Sequence, residues 1–221
     1  METKPGTYVV YGAAGSGSVP VEAALTLAGA PYRVIERPVW EDPAVAEEMG
    51  RINPQRQVPA LVLPSGELMT ESAAILVHLA EAHPEARLAP APGSPLRPRF
   101  LRWMSYISAQ IYALYWIRDD LGRLAADEAQ ARVLDERTAR RIAHCWAMMD
   151  AQAAPEGRFM LGDQISVLDL YLAVASRWAP RRRAVYEAPP GLAPVVQAVD
   201  TEPRLARFWR ERMPFAPGWE G

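Results

Sequence analysis

The sequence predicts an α/β unit followed by an all-α unit, and three observations carry that expectation. Over the first third of the chain, short apolar strand-like runs alternate with segments of helical period. A stretch with prolines at 84, 90, 92, 95 and 98 then interrupts the pattern, the composition of an interdomain linker. Beyond it every long segment has helical period and no β-rich run occurs. The expected division is a first domain over 1–84, a linker over 85–96 and a helical domain over 97–221.

Within the first domain, Tyr8 to Tyr11 is a short apolar strand with glycines after it. Val21, Ala24, Leu25 and Ala28 recur at i, i+3, i+4 and i+7, which gives a helix one buried face. Gly29 ends that helix, and Tyr32 to Glu36 reads as a second strand, so the opening is a βαβ unit with a parallel pair. A helical stretch follows from Asp42 to Arg51. Pro59 opens a strand over Ala60 to Leu63, Pro64-Ser65-Gly66 makes a turn, and Glu67 to Met69 returns as a short hairpin partner. A further helix is expected from Glu71 to His83, and the second domain reads as helices over 97–122, 127–153, 166–178 and 203–212.

Composition narrows the function classes. Half of the 221 residues are apolar, enough for a substantial core, and the net charge of −2, with Lys4 the sole lysine, excludes a nucleic-acid binder held by overall charge. The cluster Arg181-Arg182-Arg183 reads as a solvated surface rather than a phosphate patch. One cysteine, Cys145, leaves no intramolecular disulfide, and it reads as a core residue. The scattered His78, His83 and His144 have no metal-ligand spacing, so no metal is expected. Glycines at 12, 15 and 17 and Pro20 break the stretch from Tyr8 to Val21, which is wrong for a signal segment, and no apolar run approaches membrane-spanning length. A cytoplasmic protein is expected.

Three motifs point to chemistry. Asn53-Pro54-Gln55-Arg56-Gln57-Val58-Pro59-Ala60-Leu61 is followed, twelve residues after Pro59, by Glu71-Ser72-Ala73-Ala74-Ile75. Leu161 to Asp169 places Ser166 and Asp169 at capping-box spacing, with Ile165 and Leu170 placed as a hydrophobic staple. Gly12 to Pro20 forms a glycine- and serine-rich loop between the first strand and first helix. In this order they resemble the cytosolic glutathione transferase family, as a serine-type or atypical bacterial-like member, over nearly the whole chain. The resemblance implies a thioredoxin-like domain that binds glutathione and an all-helical domain that takes a second, apolar substrate.

A proline that opens a strand can hold a cis bond, which turns the preceding N–H and C=O outward where an extended peptide can pair with them. By resemblance, Val58 gives those bonds to the cysteinyl part of glutathione, with Gln57 and Pro59 beside it. Glu71 and Ser72 enter a helix, where unpaired N–H groups and the positive dipole end favour a carboxylate. The resemblance assigns that carboxylate to the γ-glutamyl end, with Glu71 facing its amine. Either pair alone is also what a helix cap or a strand-edge proline would produce.

The family's first loop carries the residue that meets the glutathione sulfur, and here the sequence departs from the familiar patterns. Gly15 occupies the column where many serine-type members have serine, and Gly17 the column of the cysteine-type members. Ser16 is the first candidate, Ser18 the second and Tyr11 a distant third. A dinucleotide reading fails, because Pro20 stands where a third glycine is wanted. The implied activity is conversion of the glutathione thiol to thiolate for attack on a small hydrophobic electrophile, as in detoxification. Tyr106, Ile107 and Tyr112 are the expected contacts of that electrophile on the helical domain. A glutathione-dependent isomerase or dehalogenase and a non-catalytic binding or regulatory module stay open as alternatives. The resemblance also implies a homodimer.

Overall fold

The computed structural model describes residues 6–153, 155–178 and 191–215. They divide into two compact units, one of residues 6–89 with 200–215 and one of residues 90–199. Residues 181–183, the arginine cluster, lie outside the described residues.

The first unit is built on a four-stranded sheet in the order β2-β1-β3-β4. β1 is Tyr8–Gly12, β2 Tyr32–Glu36, β3 Ala60–Val62 and β4 Leu68–Met69. β1 and β2 are parallel, as the βαβ reading requires, with Tyr8 opposite Tyr32 and Gly12 opposite Glu36. β3 runs antiparallel to β1, with Tyr11 opposite Ala60, and β4 antiparallel to β3, with Leu61 opposite Met69. The helix α1, Val19–Ala28, supplies the crossover and buries Val21, Ala24 and Leu25 completely. Gly29 ends it at φ 64°, a left-handed conformation that costs glycine nothing, and the Gly29 and Ala30 N–H groups return to Thr26 O and Leu25 O. α2, Pro43–Gly50, is capped by the Asp42 side chain, which accepts from the Ala44 N–H at 2.8 Å. α3, Ser72–Ala82, packs on α1 and buries Ile75, Leu76 and Leu79.

The regular elements of the second unit are all helical among its described residues, and one isolated antiparallel bridge joins Phe159 and Gly162. α4 is Arg97–Tyr106, α5 Ala113–Asp119, α6 Glu128–Ala153, α7 Val167–Ala175 and α8 Ala193–Asp200. A π-helical segment, Ile107–Tyr112, joins α4 to α5 where one uninterrupted α-helix is expected from the period, and a 3₁₀ turn, Leu121–Arg123, follows α5. Phe100, Trp103, Ile107, Ile111, Ile142, Cys145 and Met149 form much of the core, and every residue of α7 is buried.

The capping motif ahead of α7 is in place. Ser166 donates to Asp169 Oδ2 through both its N–H, at 2.8 Å, and its hydroxyl, at 2.6 Å, while the Met160 N–H donates to Oδ1 at 2.9 Å. Burial pushes the Asp169 carboxyl up to about 6, against these three donors, which favour its ionised form. The last helix, α9 (Ala206–Arg212), belongs with the sheet, and the 3₁₀ turn before it, Pro203–Leu205, packs on α1.

Candidate functional site

The strand directions decide where the motifs meet. β1 ends at Gly12, beside the point where β3 begins, and β4 ends at Met69 beside that same start of β3. The loop after β1, the segment before β3 and the entry to α3 therefore all leave the sheet at one end. Glu36, opposite Gly12, closes β2 at that end too. Motifs separated by some sixty residues in the sequence thus become neighbours through sheet register alone.

The loop after β1 is held by hydrogen bonds among its own small residues. Gly12 is required there, because a Cβ on it would come within 2.3 Å of Ser18 Oγ. Ser16 Oγ donates to Ala13 O at 2.7 Å and accepts from the Ser18 N–H at 3.1 Å, and the two serine hydroxyls lie 3.0 Å apart. Ser18 Oγ accepts from the Ala13 N–H at 3.1 Å and donates to Glu22 Oε1 at 2.7 Å. Ser18 stands at the N-cap of α1, but its side chain makes no bond to the helix's first N–H groups. Ser18 is fully buried and Ser16 nearly so, with 7% of its surface exposed, so of the two Ser16 lies nearer the loop surface.

Two residues outside the sequence motifs complete the loop. Glu22, on the first turns of α1, is fully buried, and its carboxylate meets the Arg212 guanidinium of α9, with Nε at 2.5 Å from Oε2 and Nη2 at 3.1 Å from Oε1. Arg212 Nη1 also reaches Glu36 Oε1 at 2.5 Å, and the Arg212 carbonyl accepts from the Gly15 N–H at 2.8 Å. A serine four residues before a glutamate on α1 is a faint sequence signal for the Ser18–Glu22 bond. Nothing local marks Arg212, which lies 190 residues further on.

Asn53 organises the segment before β3. It is buried, its amide donates to Gln57 O at 2.9 Å, and its Oδ1 accepts from the Gln55 N–H at 3.2 Å. Arg56 turns the chain at φ 55°, and the Val58–Pro59 peptide is cis. Val58 is half-buried, and its N–H and C=O enter none of the hydrogen bonds of the described residues. At the entry to α3, Glu71 adopts φ 64° and ψ 99°, a region that a non-glycine residue rarely occupies. Its exposed side chain caps nothing, while Ser72 beside it is buried.

The helical unit treats its expected contact residues differently. Ile107 is completely enclosed in the core of that unit and so presents no surface to a ligand. The Tyr106 hydroxyl donates to Cys145 O at 3.0 Å, and burial pushes its pKa up to about 12. Tyr112 packs its ring 4.6 Å from Tyr171 and 4.8 Å from Trp178. Its hydroxyl is buried without a hydrogen-bond partner, and burial raises its pKa well above the ordinary phenol value. Periodicity marks these aromatics as apolar-face residues without saying which are enclosed. Among the described residues no group of three or more His, Cys, Asp or Glu could hold a metal ion, and no helix is long and apolar enough to cross a membrane.

Residues 15–82 match the family model of the glutathione S-transferase N-terminal domain. The chain is 29% identical over 197 residues to YncG, an uncharacterized GST-like protein of Escherichia coli (strain K12), covering 89% of this chain and 94% of that one. Among solved structures, a sphingomonad glutathione S-transferase complexed with glutathione superposes with a TM-score of 0.71 at 26% identity, over 92% of this chain and 98% of that one. A glutathione transferase homolog from Sulfitobacter with bound glutathione gives a TM-score of 0.78 at 22% identity, over 95% of this chain and all of the other.

Proposed function

From a chain that belongs to the glutathione S-transferase family, we propose an enzyme that binds glutathione at the end of its sheet and holds the thiol as thiolate for attack on a small apolar electrophile. The observation that carries the reading is the Val58 backbone, whose N–H and C=O are uncommitted just ahead of Pro59. They can pair with the cysteinyl residue as one more strand would. Ser72 and the first N–H groups of α3 then receive the γ-glutamyl carboxylate, and Glu71, held at positive φ, faces the amine. The sphingomonad transferase, which was solved with glutathione, supports the choice of ligand.

Ser16 is the proposed thiolate donor. Its hydroxyl, which donates to Ala13 O, turns to donate to the sulfur, while the Ser18 N–H continues to donate to Ser16 Oγ. An unperturbed thiol has a pKa near 8.5, and a drop of about two units requires roughly 2.7 kcal/mol. One charge-assisted hydrogen bond supplies about 1.5–3 kcal/mol, and the N-terminus of α1 adds a few tenths to one more. The thiol proton leaves to solvent, a C–S bond forms, and the electrophile releases its leaving group or, for an enone or epoxide, takes up a proton. On the helical unit, the half-buried Tyr106 and Tyr112 are the proposed contacts to the electrophile. A homodimer in the cytoplasm belongs to the same proposal, and light scattering that returns the mass of one subunit at micromolar concentration refutes the dimer.

Calorimetric titration with glutathione, followed by turnover on halides, epoxides and enones, tests the reading. Turnover with stable conjugate supports transfer, and regenerated glutathione would indicate an isomerase. Binding without turnover favours a non-catalytic module, a second reading to which the engagement of the Ser16 proton by Ala13 O lends weight. For Ser16→Ala, the bound thiol pKa is expected to rise by about one to two units with little change in affinity.

A further inference from the structure

We propose that Glu22 and Arg212 are positioning residues for the thiol, acting through the two loop serines; this inference rests on the glutathione reading above. A hydroxyl has one proton, and Ser18 has three acceptors within reach: Glu22 Oε1 at 2.7 Å, Ser16 Oγ at 3.0 Å and Ala13 O at 3.2 Å. The carboxylate is both the nearest and the only charged one, so it takes the proton. Ser18 therefore cannot donate to Ser16. Ser16 Oγ is instead a donor supported by the Ala13 and Ser18 N–H groups, at 3.3 and 3.1 Å. Glu22 thus fixes Ser18 in one orientation, and the Ser18 and Ala13 N–H groups in turn hold Ser16 Oγ in place, its own proton free to turn from Ala13 O to a sulfur.

Arg212 makes this arrangement possible. A fully buried carboxylate needs a charged partner, and the guanidinium meets Glu22 with two nitrogens while its third reaches Glu36. The same residue's carbonyl anchors the Gly15 N–H, so side chain and backbone of one residue hold both ends of the loop. Among the described residues, the charged groups bonded to the loop or to its partners include Glu22, Glu36, Arg212 and Arg37, whose N–H donates to Gly12 O and whose guanidinium faces Glu48 at 3.6 Å, and Glu211 lies close enough to act with Glu22 and Arg212 on Tyr32.

The sign of one measurement separates positioning from simple electrostatics. Replacing Glu22 by glutamine removes a negative charge near the thiol, which by charge alone lowers the thiol pKa. Positioning predicts the reverse, since an amide oxygen accepts the Ser18 proton more weakly than a carboxylate and the amide pairs poorly with Arg212, so the loop no longer holds Ser16 in place. In Glu22→Gln the thiol pKa of bound glutathione, read from thiolate absorbance against pH, is expected to rise by about one unit. Affinity for S-methylglutathione, which has no thiol to ionise, is expected to stay within about threefold. A fall in the pKa, or no change, overturns the proposal. Arg212→Lys keeps the charge but loses the two-nitrogen fork, so it serves where Glu22→Gln does not fold. It is expected to raise the thiol pKa and to speed hydrogen exchange at the Gly15 amide in the ligand-free protein. A lowered unfolding midpoint with an unmoved pKa reduces both residues to structural roles and overturns the inference alone. Absence of glutathione binding by the unaltered protein overturns the glutathione reading, and the inference falls with it.

Discussion

Among the described residues two carboxylates are completely buried, and they are held in opposite ways. Asp169, in the helical unit, is satisfied by Ser166 three residues before it and by the Met160 N–H nine residues before it. Glu22, in the sheet unit, is satisfied on one side by Ser18 but on the other by Arg212, 190 residues away. The first is a local cap whose donors arrive as the chain turns into α7. The second exists only once α9 has docked against α1 and the end of the sheet. A buried charge closed by near neighbours stabilises one helix start, whereas one closed by a distant partner ties the loop at the proposed site to the end of the chain.

The contrast makes predictions of graded size. Asp169→Ala leaves two N–H groups and a hydroxyl without their acceptor in a dry core, and is expected to cost about 3–5 kcal/mol of unfolding free energy by urea titration. A cost below about 1 kcal/mol would mean that the cap is redundant.

The pH dependence of stability tests the same group. Because burial raises the folded Asp169 pKa to about 6, its contribution is fully present below the unfolded value near 3.8 and is lost as pH rises through about 6. The expected loss is about 2 kcal/mol between pH 4 and pH 7. Urea titrations of Asp169→Asn across that range should lack this slope. If the variant and the original run parallel, the three donors rather than burial govern the group.

Glu22→Ala sharpens the comparison from the other side. Arg212 keeps Glu36 and some contact with water, so the expected cost is smaller, about 2 kcal/mol. Equal losses from Glu22→Ala and Asp169→Ala would mean that the distant and the local partners close a buried carboxylate equally well.

Ser72 and Ser166 make the last and smallest test, since both stand at the entry to a helix. Ser166 spends its hydroxyl on Asp169, so its loss is expected in stability. Ser72→Ala is expected instead to weaken glutathione by about 2 kcal/mol in calorimetry, as for loss of a hydrogen bond to a charged carboxylate. An unchanged dissociation constant makes Ser72 a helix-entry residue like Ser166.

Local chemistry made most of the fold legible. Tyr8 to Tyr11 and Tyr32 to Glu36 read as strands because their apolar runs are short and bounded by glycine, and both lie within strands of the sheet. The α7 cap was legible because all its parts fall within ten residues. The π segment at Ile107–Tyr112 was not, since its apolar spacing fits an α-helix equally well. The same pattern offers Ile107 as a contact residue, because it cannot distinguish an enclosed side chain from one on a ligand wall.

By itself, then, the sequence determined the order and kind of most elements, the π segment and α8 excepted, together with the pairing of Ser166 with Asp169 and the identity of the loop and strand motifs. Each of these depends on interactions across a few residues or on the period of one element. Only the tertiary structure decided that residues 200–215 belong with the sheet, that Ser18 is sealed while Ser16 keeps a small exposed surface, and that Glu22 has a charged partner. Those outcomes depend on which surfaces meet once the elements pack. An arginine on a short C-terminal helix looks the same in sequence whether it ends in water or on a buried carboxylate.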